Sequence, residues 1–521
     1  MRYNIGKLYI VYMKVLGMNI KSLNRKLNKK FAGRVTARLG DGCIVLTGEL
    51  DDWNDVVDAG MTAATPHSST HVVNDIVFTA APEEKMHVPA LSDKALEGDR
   101  PDVLVIGGGI SGCSVARELA RYKLNVLLID KEADLALGAS GRNDGEVHPG
   151  VDLSKGSLKH KYIRRANHMY EDLCRELDVP FKRTGQYACF THKSWLPFVS
   201  LYAKWRRDHD GIEDTCIVMG DEIRKKEPKI SADVAFALSN PSSGSVSPYN
   251  LVIAYAENAV QNGARVSLNT AVTGMDVSDG EIKAVYTNRG TIYPREVINC
   301  AGVYSDVVAQ MAQDRFFSIH PRRGTNSILD KKTGASFHGI ASIVMSQSPV
   351  QTHTKGGGIL HTVHDNLLIG PDAVETPERE NTATDAESIA RVFTKQRITM
   401  PTLTEKDIIT YFTGVRAPTY EEDFIIEPGR KTKNIYHVAG IQSPGLTTAP
   451  AVAQDVAEYV AKLFNAEKKA DFDPVRKAPP HLAEMNDAER VKEAVAAGVD
   501  CCGENRVQEI QAKRPLGAYT G

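Results

Sequence analysis

Cysteine, aromatic residues, charge of one sign and long apolar runs are all scarce in this chain, and each scarcity excludes something. Eight cysteines are scattered through 521 residues, at positions 43, 113, 174, 189, 216, 300, 501 and 502, and none forms C-x-x-C. That spacing argues against a zinc or iron–sulfur site made by this chain, so no metal is expected, and it fits a reducing cytoplasm. The vicinal pair Cys501–Cys502 is read as two free thiols in a loop. Lys and Arg number 63 against 65 Asp and Glu, a net charge of −2. Such a balance gives no reason to expect nucleic acid or an anionic membrane surface as a partner. The early apolar run at 8–13 is far below the ~20 residues of a spanning helix, so no integral membrane segment is expected. A translation start at Met13 or Met18 accounts for that run as well as a structural role does. Tryptophan occurs three times, and Trp53, Trp195 and Trp205 are read as packing residues.

Glycine is abundant, and in one place it is ordered. Residues 103–112 read Val-Leu-Val-Ile-Gly-Gly-Gly-Ile-Ser-Gly. Four apolar, mostly β-branched residues predict a buried parallel strand. Gly107, Gly109 and Gly112 then fit the G-x-G-x-x-G turn of a dinucleotide-binding βαβ unit. The first allows the tight turn, the second lets backbone approach a pyrophosphate, and the third lets the helix pack close to the strand. A helix over about 111–123 aims its positive N-terminal end at that anion. A second strand at 126–129 ends on Asp130, where a carboxylate can accept a ribose hydroxyl. A length of 521 residues predicts two to four domains.

Further segments carry a resemblance across roughly 101–465. Ser140-Gly141-Arg142-Asn143 followed by His148-Pro149-Gly150 resembles the Ser…Asn-Ser…His-Ala-Gly run beside the flavin in the D-amino-acid-oxidase-like FAD-dependent oxidoreductases; Asp144-Gly145 departs from the commoner pattern. Residues 297–302, Val-Ile-Asn-Cys-Ala-Gly, resemble that superfamily's apolar strand ending in Ala-Gly. Residues 411–417, Tyr-Phe-Thr-Gly-Val-Arg-Ala, resemble the strand with the substrate arginine. Residues 440–447, Gly-Ile-Gln-Ser-Pro-Gly-Leu-Thr, resemble the flavin loop before the last helix. Within the superfamily the likeness is to anaerobic-type glycerol-3-phosphate dehydrogenases and L-2-hydroxyglutarate oxidases. The resemblance implies FAD as cofactor, held by Gly107, Gly109, Gly112, Asp130, Ser140, Asn143, Ala301, Gly302, Gly440, Gly445, Leu446 and Thr447. Small residues at 301–302 suit a backbone that approaches a cofactor. Donors at 440–445, and a helix starting near Ala449, would stabilise charge arriving on a flavin.

Oxidising a secondary alcohol requires a base for the hydroxyl proton, and His148 is the candidate; a purely structural hydrogen bond is its alternative role. Arg416 is the candidate anion anchor, because guanidinium grips carboxylate or phosphate through two parallel bonds. Its bland alternative is an ion pair with Asp423 or Glu421. Arg323 is expected to assist with a phosphate or the flavin, and His361 and Ser443 to line the substrate pocket. Residues 356–358, three glycines, read as a hairpin or loop and not as a phosphate cradle.

Both ends of the chain carry additions. Residues 1–30 read as an arm whose part from 19 is a basic helix or loose segment. Residues 31–80 read as strands at 34–39 and 43–50, a helix at 51–65 and a strand at 71–79, and resemble a BON domain, a binding or interaction module. Residues 81–100 and 466–487 read as linkers. Residues 488–521 resemble part of the pyridoxal-phosphate homeostasis proteins, without that family's cofactor lysine, and imply an incomplete fragment. The expected fold is α/β: a Rossmann-like FAD-binding domain of discontinuous segments with an inserted mixed-sheet substrate domain and a small α+β N-terminal module. The expected activity is FAD-dependent oxidation of a small anionic hydroxy compound, glycerol 3-phosphate or L-2-hydroxyglutarate, with an electron-acceptor protein as a further partner. The alternatives are an amino acid or amine oxidase, and an FAD-binding electron-transfer subunit of a larger complex.

Overall fold

The computed structural model describes residues 20–82, 84–212, 214–344, 357–478 and 485–496. The apolar run predicted as a parallel strand is one, Val103–Ile106, buried along its whole length. It is paired in parallel with Val126–Ile129 on one side and Glu296–Asn299 on the other. Arg265–Ser267 and Ile435–Ala439 extend this sheet in parallel, and Ile425–Pro428 closes it antiparallel. Parallel strands buried on both faces need cover on each. Ile110–Leu119, Pro248–Gln261 and Gly445–Phe464 cover one face; the other packs against the antiparallel strands Val272–Ser278, Glu281–Thr287 and Gly290–Ile292 and the helix Ser305–Met311. The helix expected to start near Ala449 begins at Gly445, with Pro450 inside its first turns.

Glu296 stands at the start of the central strand, 1% exposed, and its Oε1 has no hydrogen-bond partner. Burial pushes its carboxyl up to about 8. The folded state therefore keeps a proton that the unfolded chain sheds above about pH 4.5, so stability falls as pH rises from there to about 8. Glu296→Gln removes that slope. Its unfolding free energy should match the parent's near pH 4.5 and exceed it increasingly towards pH 8, where the difference is of order a few kcal/mol. Parallel pH-stability curves for the two proteins would refute a proton held at Glu296.

A mixed sheet of nine strands forms the second layer. Its longest pairing joins Arg322–Leu329 to Ile408–Arg416, with Arg322 opposite Arg416 and Gly324 opposite Gly414. This pair lies over the C-terminal ends of the parallel strands, where open α/β sheets bind ligands. The predicted hairpin after the triple glycine begins at Gly358, while Gly356 lies outside the described residues.

The N-terminal unit has the predicted strands, Val35–Leu39, Cys43–Leu50 and His71–Phe78, and a helix, Trp53–Ala63, capped by Asp52. Trp53 packs edge-on against Phe78, as its packing role implies. The basic segment is no loose arm: helix Ile20–Lys30 buries Leu23 and Leu27, four residues apart on one face, in this unit's core. Residues 1–19 lie outside the described residues. Tyr420, from the far end of the sequence, completes the same core. Its ring lies where a Cβ on Gly60 would stand, 2.2 Å from Tyr420 Cε1, and its hydroxyl accepts from Asn74 Nδ2 at 2.8 Å. Glu421 accepts the Val72 amide at 2.8 Å, and Arg315 pairs with Asp75 at 2.8 Å. The unit is thus fastened to the segment that follows Arg416.

Neither predicted linker is a bare connector where described. Leu96 and Gly98 donate to Arg289 O and Thr291 O, and Met86 and His87 reach the central cavity. At the other end, Pro474 O accepts from buried Arg117, and Arg476 Nε donates to Glu257 at 2.6 Å. Asp487–Ala496 is helical. The rest of the segment resembling a pyridoxal-phosphate homeostasis protein, with Cys501 and Cys502, lies outside the described residues. No helix among the described residues is long and apolar enough to cross a membrane.

Candidate active site

A cavity of about 530 Å³ runs along the C-terminal ends of the parallel strands and under the long strand pair. Its first wall is the glycine turn. Gly107 has φ +115°, and a Cβ there would stand 2.3 Å from Cys300 O. Only glycine lets the neighbouring strand approach so closely. At Gly109 a Cβ would stand 2.9 Å from Ser140 Oγ, so the absent side chain leaves backbone facing the cavity. Gly112 does not line the cavity. A Cβ there would meet Gly107 O at 1.8 Å, which is the close helix–strand packing its position predicts.

Asp130 lines the cavity, but part of its carboxylate is already used. Oδ2 accepts the Gly108 amide at 2.5 Å and Oδ1 the Glu132 amide at 2.7 Å. It fixes the turn as well as facing any ribose. Ser140 Oγ accepts the Ile110 amide at 2.9 Å, and Asn143 spends its amide on Ser140 O (2.6 Å) and the Gly145 amide (2.8 Å). Both therefore shape the loop that lines the cavity. Ala301, Gly302, Ser443, Gly445 and Leu446 line it too. Gly440 and Thr447 do not. Gly440, at φ +67°, turns the chain behind the site, and Thr447 Oγ1 accepts the His148 amide at 3.0 Å and donates to Glu146 O at 3.2 Å. A hydroxyl there serves the histidine's strand and not a ligand.

His148 is 7% exposed and lines the cavity. Its Nε2 lies 3.2 Å from Ser443 Oγ, and its Nδ1 lies 3.2 Å from Glu146 Oε1 without hydrogen-bond alignment. Arg416 ends the long strand and also faces the cavity. Its Nη2 donates to Arg323 O at 3.0 Å and to Asp372 O. Neither carboxylate named as its bland alternative takes it: Asp423 accepts the Leu158 and Lys159 amides, and Glu421 holds His71 and Val72. Burial, and then the Arg322 guanidinium, pull Arg416 down to about 10. Arg322 by contrast is neutralised by Glu375 and Glu422. Arg416 is half-buried, and its hydrogen bonds go to backbone carbonyls and to no carboxylate.

Two expected residues are not in the site. Arg323 lies one position from Arg322, so the strand's period of two turns it to the other face. There it donates to Ala383 O and pairs with Asp385 at 3.2 Å. His361 is buried two strands away, its Nε2 3.9 Å from Asp365 and its ring 5.9 Å from His338. Two residues that were not anticipated are present: Asp144 and Glu146 line the cavity beside His148. Burial, then the Glu146 charge, push Asp144 up. Strand spacing could have found Glu146, two positions before His148, but not Asp144, because the chain turns at Gly145, φ +75°.

The donor set fits a dinucleotide at one end and a small anion at the other. Backbone at Gly107–Gly109 and the N-terminal end of helix Ile110–Leu119 suit a pyrophosphate. The family described as FAD dependent oxidoreductase matches residues 102–459. A glycerol 3-phosphate dehydrogenase of Caloramator mitchellensis is 37% identical over 393 residues, 75% of this chain and 80% of that protein. An L-2-hydroxyglutarate dehydrogenase of Indibacter alkaliphilus is 28% identical over 70% of this chain and 99% of its own length. Among solved structures, the FAD-bound L-α-glycerophosphate oxidase of Mycoplasma pneumoniae superposes with a TM-score of 0.67 at 25% identity, covering 72% of this chain and 98% of that one.

Proposed function

Because the chain belongs to the FAD dependent oxidoreductase family, we propose that it oxidises the secondary hydroxyl of glycerol 3-phosphate, with L-2-hydroxyglutarate as the competing substrate. The observation that carries this reading is Arg416, a half-buried cation hydrogen-bonded to carbonyls in the same cavity as His148. Arg416 binds the phosphate or carboxylate and so places the hydroxyl-bearing carbon. His148 Nε2 accepts the hydroxyl proton, with Ser443 Oγ at 3.2 Å holding the ring's orientation. FAD, when bound along Gly107–Gly109, Ala301–Gly302 and Gly445–Leu446, supplies the two-electron acceptor. Met86, His87, Arg379 and Glu380 also line the cavity.

A second reading rests on Asp144 and Glu146. Carboxyl groups facing a cavity also suit an ammonium group, so an amino acid or amine is the alternative substrate. Anaerobic titration of the purified holoenzyme separates the readings. Glycerol 3-phosphate or L-2-hydroxyglutarate should bleach the oxidised flavin band. Bleaching by amines alone, or by none of these compounds, overturns the proposal, and the latter result favours an electron-transfer subunit. His148→Asn should lower the rate of bleaching about 10²-fold or more while leaving substrate affinity within a few fold. An unchanged rate would remove His148 as the proton acceptor. The strand–helix–strand order of the N-terminal unit supports its reading as a BON-like module, here turned towards its own catalytic body. The electron acceptor is proposed to be a separate protein, and the scattered cysteines support a cytoplasmic setting.

A further inference from the structure

Asp144, Glu146 and His148 line the same cavity, Glu146 and His148 flanking Val147 and Asp144 lying beyond the turn at Gly145, φ +75°. The Glu146 carboxylate is 8% exposed and is held by neutral donors, Gln186 Nε2 at 2.9 Å and Ser243 Oγ at 3.4 Å. Its Oε1 stands 3.2 Å from His148 Nδ1, the nitrogen that points away from Ser443. The His148 backbone is fixed at both ends of its peptide: its amide donates to Thr447 Oγ1 at 3.0 Å, and its carbonyl accepts from Asn167 Nδ2 at 2.8 Å. The ring has a carboxylate on one side and a hydroxyl on the other.

We propose that Glu146 is a positioning residue for His148: its carboxylate fixes the imidazole with Nδ1 carrying the hydrogen and Nε2 open to the substrate, and it stabilises the charge the ring acquires. This inference rests on the reading of His148 as the proton acceptor. In the step it assists, the substrate O–H bond breaks and an Nε2–H bond forms, so neutral imidazole becomes imidazolium beside a carboxylate. A buried imidazolium without such a partner is costly. The Nδ1 contact, 3.2 Å without hydrogen-bond alignment, is of the kind that aligns when the ring takes its proton. Asp144 interacts electrostatically with Glu146, His148 and Arg416, so these groups form one charged cluster. Burial and the Glu146 charge push Asp144 up, towards its neutral form.

The test uses the FAD-loaded protein and the variants Glu146→Gln and Glu146→Asp. Reduction by glycerol 3-phosphate needs the neutral ring, so its rate rises with pH through the ring's titration. Loss of the carboxylate in Glu146→Gln should move that midpoint down by about one pH unit and lower the maximal rate about 10- to 100-fold. Substrate affinity, set by Arg416, should stay within about twofold. Glu146→Asp keeps the charge and should keep the midpoint within a few tenths of a unit. Independently of turnover, ¹⁵N-histidine NMR of the substrate-free oxidised protein, with the His148 signal identified by its loss in His148→Asn, should show the same downward shift in Glu146→Gln. A midpoint unmoved by Glu146→Gln in the NMR titration overturns the inference. Failure of every small substrate to reduce the parent enzyme would overturn the proposed function instead, with the NMR midpoint still deciding the role of Glu146.

Discussion

Gly107→Val is expected to yield a colourless protein. At φ +115° a β-branched residue is strained whatever its surroundings. Here its Cβ would also stand 2.3 Å from Cys300 O and 2.8 Å from Cys300 C. Those atoms are backbone at the end of Glu296–Asn299, which pairs residue for residue with Val103–Ile106. They cannot yield as the tip of a flexible side chain can. The two central strands must part or the turn must flip, and either removes the backbone cradle for a pyrophosphate. Flavin absorbance per polypeptide after purification should fall to near zero, with a lowered melting temperature. Gly138→Ala is the control. Gly138 lines the same cavity with φ −82°, and nothing lies within 4 Å of its Cβ position. It should remain yellow. Full flavin content in Gly107→Val would place the cofactor elsewhere.

Arg416→Leu should lose substrate and gain, or at least keep, stability. The guanidinium makes hydrogen bonds to Arg323 O and Asp372 O and is repelled by Arg322. Taking such a charge out of water is costly, and an apolar side chain removes the cost. The anion then has no partner, and loss of a buried charged contact costs about 2–5 kcal/mol. A fall of about 10² to 10³ in kcat/KM, carried mostly by KM, is the expected kinetic result. Arg416→Lys should recover part of it, since an ammonium supplies charge without the two-pronged geometry. Passage for the guanidinium depends on Gly324, where a Cβ would stand 2.6 Å from Arg416 Nη2. A variant without Arg416 that binds glycerol 3-phosphate and L-2-hydroxyglutarate as the parent does would dissociate this residue from substrate. A destabilised one would make the residue structural.

Local rules make much of this site legible in the amino-acid sequence itself. The glycine turn, the strand before it, Asp130, Ala301–Gly302, His148, Ser443 and Arg416 each announce themselves through backbone needs or through one residue type in an apolar setting. They are brought to one cavity by the parallel strand order, which follows from βαβ handedness and not from their spacing in sequence. Arg323 and His361 failed for a different reason. Both lie on strands of the nine-stranded sheet, where one position decides the face and two strands decide the distance. The pairing of Arg322 with Arg416 puts those two on a shared face and sends Arg323 to the other. Glu146 was legible as period-two spacing, but residue type alone does not tell a solvent-facing carboxylate from one behind a histidine. Met86, His87, Arg379 and Glu380 belong to irregular segments whose path is set by tertiary contacts, so no periodicity marks them.

The seating of Tyr420 in the N-terminal core also sets an order in time. Its socket, around Gly60, Leu46 and Val56, leaves the ribosome early. The ring that fills it is synthesised roughly 360 residues later, an interval of about 20 to 70 s at ordinary elongation rates. Through that interval the first folded unit carries an open apolar socket, and the chain must keep it from mispairing until its own late segment arrives.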